Sequence, residues 1–322
     1  MKFINWSKIK NPLIQQGSHK IAYCDPSIHF HDNVFRVFFS KVELLTSQEI
    51  IIQLAVTEST DLLNWSSPQI LSNKNHPMTN PGNIIRYKKD WVMTCNDYHL
   101  ENNQLNSDGM VLPWITRSTD LINWSKPEVM LLKSPNLEAN FMGNCSSPCL
   151  VKDISDPEKW WCFFNHGGLS INHNHNSPYR NRIKDSRYTE LYSLNLSYSY
   201  DLVEWNYWNT VNGQENYCVM TDQENYILVD SPSNGIGMKM SSDLIHWHQI
   251  GLYTLGQRQW EWANGRITSA HIINLKNYDK VGKYLMVFNG CTQDGLALNV
   301  FHGQASVGLA WSDDLSNWYW PQ

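Results

Sequence analysis

No run of eighteen apolar residues occurs anywhere in the chain, so the sequence offers no membrane-spanning helix. The opening Met1-Lys-Phe-Ile-Asn-Trp has no apolar stretch of signal-peptide length. Positive charge is scarce too: 25 Lys and Arg stand against 30 Asp and Glu, for a formal net charge of −5. Such a balance lacks the basic footprint with which proteins neutralise nucleic-acid phosphates. Gly/Ser tracts, Pro runs and blocks of like charge are missing, and with them any sign of a linker. Cysteine is modest and unpatterned. Seven are scattered at 24, 95, 145, 149, 162, 218 and 291, with no pair spaced two residues apart, which argues against a zinc site or a disulfide framework. Most lie in apolar runs, where a free Cys behaves as a small buried hydrophobe. A reducing, cytoplasmic setting is the expectation. No Gly-rich phosphate loop, Gly-x-Ser-x-Gly elbow or His-Glu-x-x-His motif occurs, and neither a cofactor nor a metal is expected.

Aromatic residues, by contrast, are plentiful, with 15 Trp and 15 Tyr. Five of the Trp belong to a repeated tag, Asp-Leu-x-x-Trp, at Asp61–Trp65, Asp120–Trp124, Asp201–Trp205, Asp243–Trp247 and Asp314–Trp318. Five copies in 322 residues allot about 64 residues to each unit, enough for four strands and their turns. A periodic small-polar/Trp motif of this kind signals a radially repeated β architecture. The sequence therefore predicts an all-β, five-bladed β-propeller with four-stranded blades, occupying residues 1–322 as one domain.

Three strand-like runs precede each tag. They are rich in β-branched and aromatic residues and bounded by Gly, Asn, Asp and Pro, as in Asn80–Tyr87, Trp91–Cys95 and Leu112–Thr116. The fourth strand follows the tag, but the last tag is followed only by Tyr319-Trp-Pro-Gln. Ile4-Asn-Trp-Ser-Lys echoes Ile122-Asn-Trp-Ser-Lys, so residues 3–14 are expected to supply the outer strand of the last blade and close the ring.

Antiparallel geometry sorts residues by face. The tag aspartates fall at one end of each blade as turn-capping groups. Strand-1 starts and strand-2 ends collect at the other end, which brings Asp25, Asn80, Ser147, Glu215, Lys41, Asp97, His166 and Asp230 to the mouth. The segment Trp260-Glu-Trp-Ala-Asn-Gly-Arg266 lies just ahead of the fifth inner strand. Long loops after the second strands of blades two, three and five would wall this mouth. Asp25, in Cys24-Asp-Pro-Ser-Ile, opens the innermost strand of blade one, where side chains converge on the axis. It reads as a general base or nucleophile, or else as a turn residue before Pro. Glu261 between Trp260 and Trp262 suits a general acid, because desolvation by indole rings raises a carboxyl pKa. The alternative is that both rings are packing wedges and Glu261 pairs with Arg266. His173 and His175 read as residues of a solvated loop, and Arg180, Arg182, Lys184 and Arg187 as a basic cluster for an anionic substrate or a second subunit.

Asp25-Pro-Ser-Ile at the first inner strand, followed by Ser-x-Asp-Leu-x-x-Trp tags, resembles the five-bladed propeller glycosidases of glycoside hydrolase families 43, 32 and 117. The resemblance implies hydrolysis of a glycosidic bond by inner-strand carboxylates, with Asp25 in the first-blade place. The family 43 general acid, a Glu opening the fourth inner strand before Gly-Pro, falls on Glu215, here followed by Asn216-Tyr217. That family's third acid, an Asp, falls on Ser147. Family 117 relatives are thought to use a His as the acid, which directs attention to His166. The expected activity is exo-acting hydrolysis of short oligosaccharides, with Asp25, Glu261 and Glu215 catalytic. Asn80, Asp97, His166, Asp230, Trp260, Trp262 and Arg266 would bind substrate, and neither nucleic acid nor membrane is expected as a partner. A non-catalytic carbohydrate-binding propeller and a protein-interaction scaffold remain the alternatives.

Overall fold

The computed structural model describes residues 3–14, 16–45, 49–72, 78–96, 100–101, 104–105, 112–132, 145–166, 194–211, 215–232, 234–293 and 304–321. Five four-stranded antiparallel sheets stand around one axis. Blade one holds β1 (Ile21–His31), β2 (Val34–Leu44), β3 (Ile50–Ser59) and β4 (Gln69–Ile70). Blade two holds β5 (Asn80–Tyr87) and β6 (Asp90–Asn96); a small hairpin of β7 (Leu100–Glu101) and β8 (Gln104–Leu105) precedes its outer strands β9 (Pro113–Ser118) and β10 (Glu128–Val129). Blade three comprises β11 (Cys145–Lys152), β12 (Trp160–His166), β13 (Leu194–Ser199) and β14 (Asn206–Val211). Blade four comprises β15 (Glu215–Asp222), β16 (Asn225–Ser231), β17 (Ile236–Ser241) and β18 (His248–Tyr253). Blade five comprises β19 (Arg266–Asn274), β20 (Tyr284–Cys291), β21 (Ser306–Ser312) and β22 (Trp318–Tyr319). The inner strands β1, β5, β11, β15 and β19 each touch the next, and β19 returns to β1. The architecture is the one the tags predict. Among the described residues no helix is long and apolar enough to cross a membrane.

The tag is a self-contained turn. In the first copy Ser59 Oγ accepts the N–H groups of Asp61 and Leu62, and Asp61 Oδ1 accepts those of Leu63 and Asn64, both at 2.8 Å. The same set recurs around Ser118/Asp120, Ser199/Asp201, Ser241/Asp243 and Ser312/Asp314. These side chains satisfy donors that the end of the third strand leaves open. The Leu of every tag sits in left-handed backbone, with φ of 62° to 67° at Leu62, Leu121, Leu202, Leu244 and Leu315. All five are buried, so burial of the Leu side chain offsets the strain of its backbone.

Closure of the ring meets the expectation in part: residues 3–14 reach the outer edge of blade five, but not as a strand. The outer strand of blade five is β22, paired with Trp311 and Ser312, and residues 3–14 contain a single 3-10 turn at Trp6–Lys8 but no strand. The segment instead wedges into the seam between blades five and one. Ile4, Ile9 and Leu13 join a buried cluster with Phe35, Phe39, Val287 and Leu309. Asn11 mimics a strand partner with its side chain, donating Nδ2–H to the Leu309 carbonyl and accepting the Leu309 N–H. Leu13 adds one backbone bond to Val307 at 2.8 Å. The outer edge of β21 is shared: β22 pairs with Trp311 and Ser312, residues 11–13 reach Leu309 and Val307 further along, and Pro12, lacking an N–H, keeps this second stretch from forming a ladder.

Two outcomes follow from this arrangement. Ile9→Ala should cost about 2–4 kcal/mol in chemical denaturation, as buried aliphatic truncations do. The second concerns the tag carboxyls. In Asp120 the Asn123 N–H, then the Asn123 side chain and the Ile122 N–H, hold the carboxyl well below its ordinary value of 3.8, and Asp243 and Asp314 are lowered in the same way. A carboxyl lowered on folding contributes stability that is present above 3.8 and lost as the pH falls further. Asp120→Ala should therefore lower the thermal midpoint at pH 7, and the gap to the parent should narrow in melts run at pH below 3.8.

Candidate functional site at the propeller axis

Every inner strand carries a bulge at the same register. Pairing with the second strand skips two residues between Cys24 and Ser27, Pro81 and Ile84, Ser146 and Cys149, Glu215 and Cys218, and Thr268 and His271. The first skipped residue in each blade is thus Asp25, Gly82, Ser147, Asn216 or Ser269. Three of them occupy left-handed backbone, with φ of 50° at Asp25, 53° at Asn216 and 50° at Ser269. Asp and Asn tolerate that region better than most side chains; Ser does so less readily. Bulges re-aim side chains and gather at functional sites.

The bulges surround an axial cavity of about 40 Å³. Its walls are Asp25 and Pro26 of β1, Asn80–Asn83 of β5, Pro148 and Cys149 of β11, Asn216–Cys218 of β15, and Ser269–His271 of β19. Asp25 is the one carboxylate among the described lining residues. Ser269 Oγ donates to Asp25 Oδ1 at 2.9 Å across the seam of blades five and one. His271 is buried, and neither ring nitrogen has a partner among the described residues. Burial pushes its pKa down to about 4, so the imidazole is neutral at pH 7. Cys149 and Cys218 line the third and fourth sides, and burial, then contact with Cys149, raises the Cys218 thiol. Blades two and three close on each other through Asn83, which donates to the Leu150 carbonyl at 2.5 Å and accepts the Leu150 N–H at 2.8 Å.

The residues singled out in the sequence divide into three groups. Asp25 and Asn80 come together at the cavity. A second group lies elsewhere. Glu261 is exposed on a 3-10 turn, while Trp260 and Trp262 are buried, stacked 5.3 Å apart and against Phe288. The two rings are thus packed in the interior of blade five, and none of the three residues lines the cavity. Asp230, one residue before the end of β16, lies in the mouth-side half of blade four, but its carboxylate is buried and held by Lys239 Nζ at 2.7 Å. Arg266 opens β19 opposite Cys291, where its charge works against the burial that raises that thiol. Lys41 pairs with Glu43 at 3.3 Å.

The third group is set by what is described. Glu215 opens β15 opposite Ser231, in the register place of Cys24 and one residue ahead of the bulge; its side chain lies outside the described residues. His166 closes β12 opposite Cys145, and its side chain, like that of Ser147, is likewise outside them. Asp97, His173, His175, Arg180, Arg182, Lys184 and Arg187 lie outside the described residues altogether.

Sequence reasoning missed Ser269, His271 and Asn216. Nothing flanks Ser269-Ala-His271 that resembles a motif. The usable signal was phase: each unit has a small or polar residue at the bulge, and aligning the units on Asp25 and Ser147, both followed by Pro, points to it.

No family model matches the chain, and no curated protein matches it in sequence. Solved structures match over nearly its whole length. A family 117 glycoside hydrolase from the marine bacterium Zobellia galactanivorans superposes with a TM-score of 0.61 at 10% identity, over 96% of this chain and 89% of its own. A family 43 enzyme from Xanthomonas citri, complexed with xylotriose, gives 0.59 at 12% identity over 95% and 90%. A family 43 β-xylosidase/α-arabinofuranosidase from a compost microbial metagenome, also with xylotriose, gives 0.59 at 10% over 92% and 95%. The fold is that of the five-bladed propeller glycoside hydrolases. In this propeller Asp25, at the bulge inside β1 and not at its start, puts a carboxylate on the axial cavity.

Gly82 is the bulge residue with no room for a side chain. A Cβ there would overlap Thr94 Oγ1 and stand 2.5 Å from the Pro148 carbonyl oxygen. Gly82→Ala should force blades two and three apart at the cavity wall and cost about 1–3 kcal/mol in denaturant melts, as overpacking does.

Proposed function

We propose that this chain is a glycoside hydrolase acting at the terminal linkage of short oligosaccharides, with Asp25 as general base or nucleophile. The observation that carries the reading is the Asp25 carboxylate at the axial cavity, held in left-handed backbone by a bulge. Strained backbone of this sort persists where the surrounding structure fixes it, and functional sites are where it gathers. The other described walls are largely uncharged amides, hydroxyls and thiols, which suits a neutral, hydroxyl-rich ligand; xylotriose is the ligand named for two of the structural neighbours.

The acid is best sought in Glu215. It directly precedes the cavity-lining Asn216, whereas Glu261 stands exposed on a turn outside the cavity. A carboxyl separation of about 5–5.5 Å would give retention of configuration, and about 6.5–9.5 Å inversion. Substrate would also meet Asn80 and, as further candidates, Asp97, His166 and Arg266, whereas the buried Asp230, held by Lys239, would not touch it. The six described cysteines are all free and buried, which supports residence in a reducing cytoplasm.

A carbohydrate-binding propeller without activity is the second reading. It is favoured by the single carboxylate among the described lining residues and by Ser147 at the third-blade place where an Asp is expected.

Nitrophenyl glycosides and plant or algal oligosaccharides, assayed beside an Asp25→Asn control, decide between them. Hydrolysis by the parent and its loss in Asp25→Asn, with ligand binding retained, is the expected result. Glu215→Gln should then slow substrates with poor leaving groups most, by about 100-fold or more, since those depend on protonation; the same pattern in Glu261→Gln instead would move the acid to blade five. Ligand binding with no cleavage of any glycoside would establish the binding module.

A further inference from the structure

Asp25 and Ser269 are register equivalents, each the first skipped residue of its bulge, on inner strands that meet at the ring seam. Their side chains meet as well, Ser269 Oγ donating to Asp25 Oδ1 at 2.9 Å. The hydroxyl is itself held in place. Ser269 is buried, its backbone is left-handed at φ 50°, and its N–H is donated to Ser231 Oγ at 2.9 Å. Ser231, 1% exposed, comes from β16 of the neighbouring blade. A chain of two hydrogen bonds thus runs from the end of β16 in blade four, through the fifth bulge, to the carboxylate of blade one. Two of the other bulge residues are placed differently: Gly82 has no side chain, and Asn216 donates to Thr268 Oγ1 at 3.4 Å.

We propose that Ser269 is the positioning residue of Asp25, fixing the plane of its carboxylate across the seam and favouring its ionised form. The inference rests on the hydrolase reading only in giving that carboxylate a task. A donor aimed at an ionised carboxylate stabilises the charge, so its removal makes ionisation harder. Ser is an unfavourable residue for a left-handed bulge, and a hydroxyl that does work there is a physical reason for its presence.

The groups that face Asp25 leave it readable. Cys24 lies beside it on β1 and Cys291 on β20; burial, then the Asp25 charge and Cys291, raise the Cys24 thiol well above its ordinary value. His271 of β19 is neutral above about 4. From β15 come Tyr217 and Cys218, from β11 Cys149, and from β5 only the uncharged Asn80–Asn83. Arg266 opens β19, and the Glu215 side chain lies outside the described residues.

The test is Ser269→Gly, which removes the hydroxyl and accepts the left-handed backbone, with Ser269→Ala as the second variant should the first fail to fold. The acid limb of kcat/KM against pH should move up by about one pH unit. In parallel, the pH dependence of the thermal midpoint is measured with and without Asp25→Asn, in the parent and in the Ser269 variant. The part that Asp25 contributes should shift upward by a similar amount. An acid limb and an Asp25-dependent stability profile that stay in place would overturn the proposal, since a purely structural Ser269 would lower stability at every pH alike. If the parent cleaves no glycoside, the hydrolase reading fails alone, and the thermal titration still decides the role of Ser269.

Discussion

Five inner strands that converge on one axis must each turn a side chain inward without losing their ladder to the second strand. The bulge meets this constraint. By skipping two residues at one register in every blade, it frees a backbone position that need not obey the alternation of a strand. Everything at the axis depends on it: the left-handed Asp25, Asn216 and Ser269, the glycine where two blades come closest, and the cavity they enclose. The outer strands serve mainly to hold this ring, through clusters such as Phe38, Leu54, Met78 and Met93 between blades one and two.

Legibility in the sequence followed the range of the interactions. The tags were readable because their hydrogen bonds run between residues two or three apart, so Ser, Asp and Leu must each be present in every copy. Blade number and strand order came with them. Asp25 was readable because its Asp-Pro pair is distinctive. Ser269 and His271 were not, because what places them is a slip in pairing with β20, between Thr268 opposite Asn289 and His271 opposite Val287. The Trp260-Glu261-Trp262 segment misled for a related reason. Two indoles beside a carboxylate look the same in sequence whether they stack on a ligand or, as here, on Phe288. The echo at Ile4-Asn-Trp-Ser-Lys pointed to the right blade but not to the form of the contact, since shared letters cannot report that β22 takes the Trp311–Ser312 end of the edge and leaves Asn11 and Leu13 to bond at Leu309 and Val307.

The electrostatics of the axis are simple. Burial lowers His271 and raises Cys24 and Cys218, and all three shifts leave the groups uncharged near neutrality. Asp25 therefore sits among dipoles, thiols and an uncharged ring, where a single hydrogen bond to its oxygen counts for more than it would in water. The contrast with the tags is instructive. Their aspartates are also hydrogen-bonded, but they stand near solvent, and their work is confined to a turn.

The tag turns carry one further consequence, for the history and the size of the molecule. Because each copy closes its own loop with its own atoms, a unit of strand, strand, strand, tag and strand is a module that gene duplication can copy whole, its corner instructions included. Nothing in the tag counts the copies. The two ends of the array meet at one joint, where Asn11 lends its side chain to Leu309 and Leu13 its N–H to Val307, much as Asn83 lends its side chain to Leu150 between blades two and three. An array lacking that latch would have the parts list of a propeller without a stop signal.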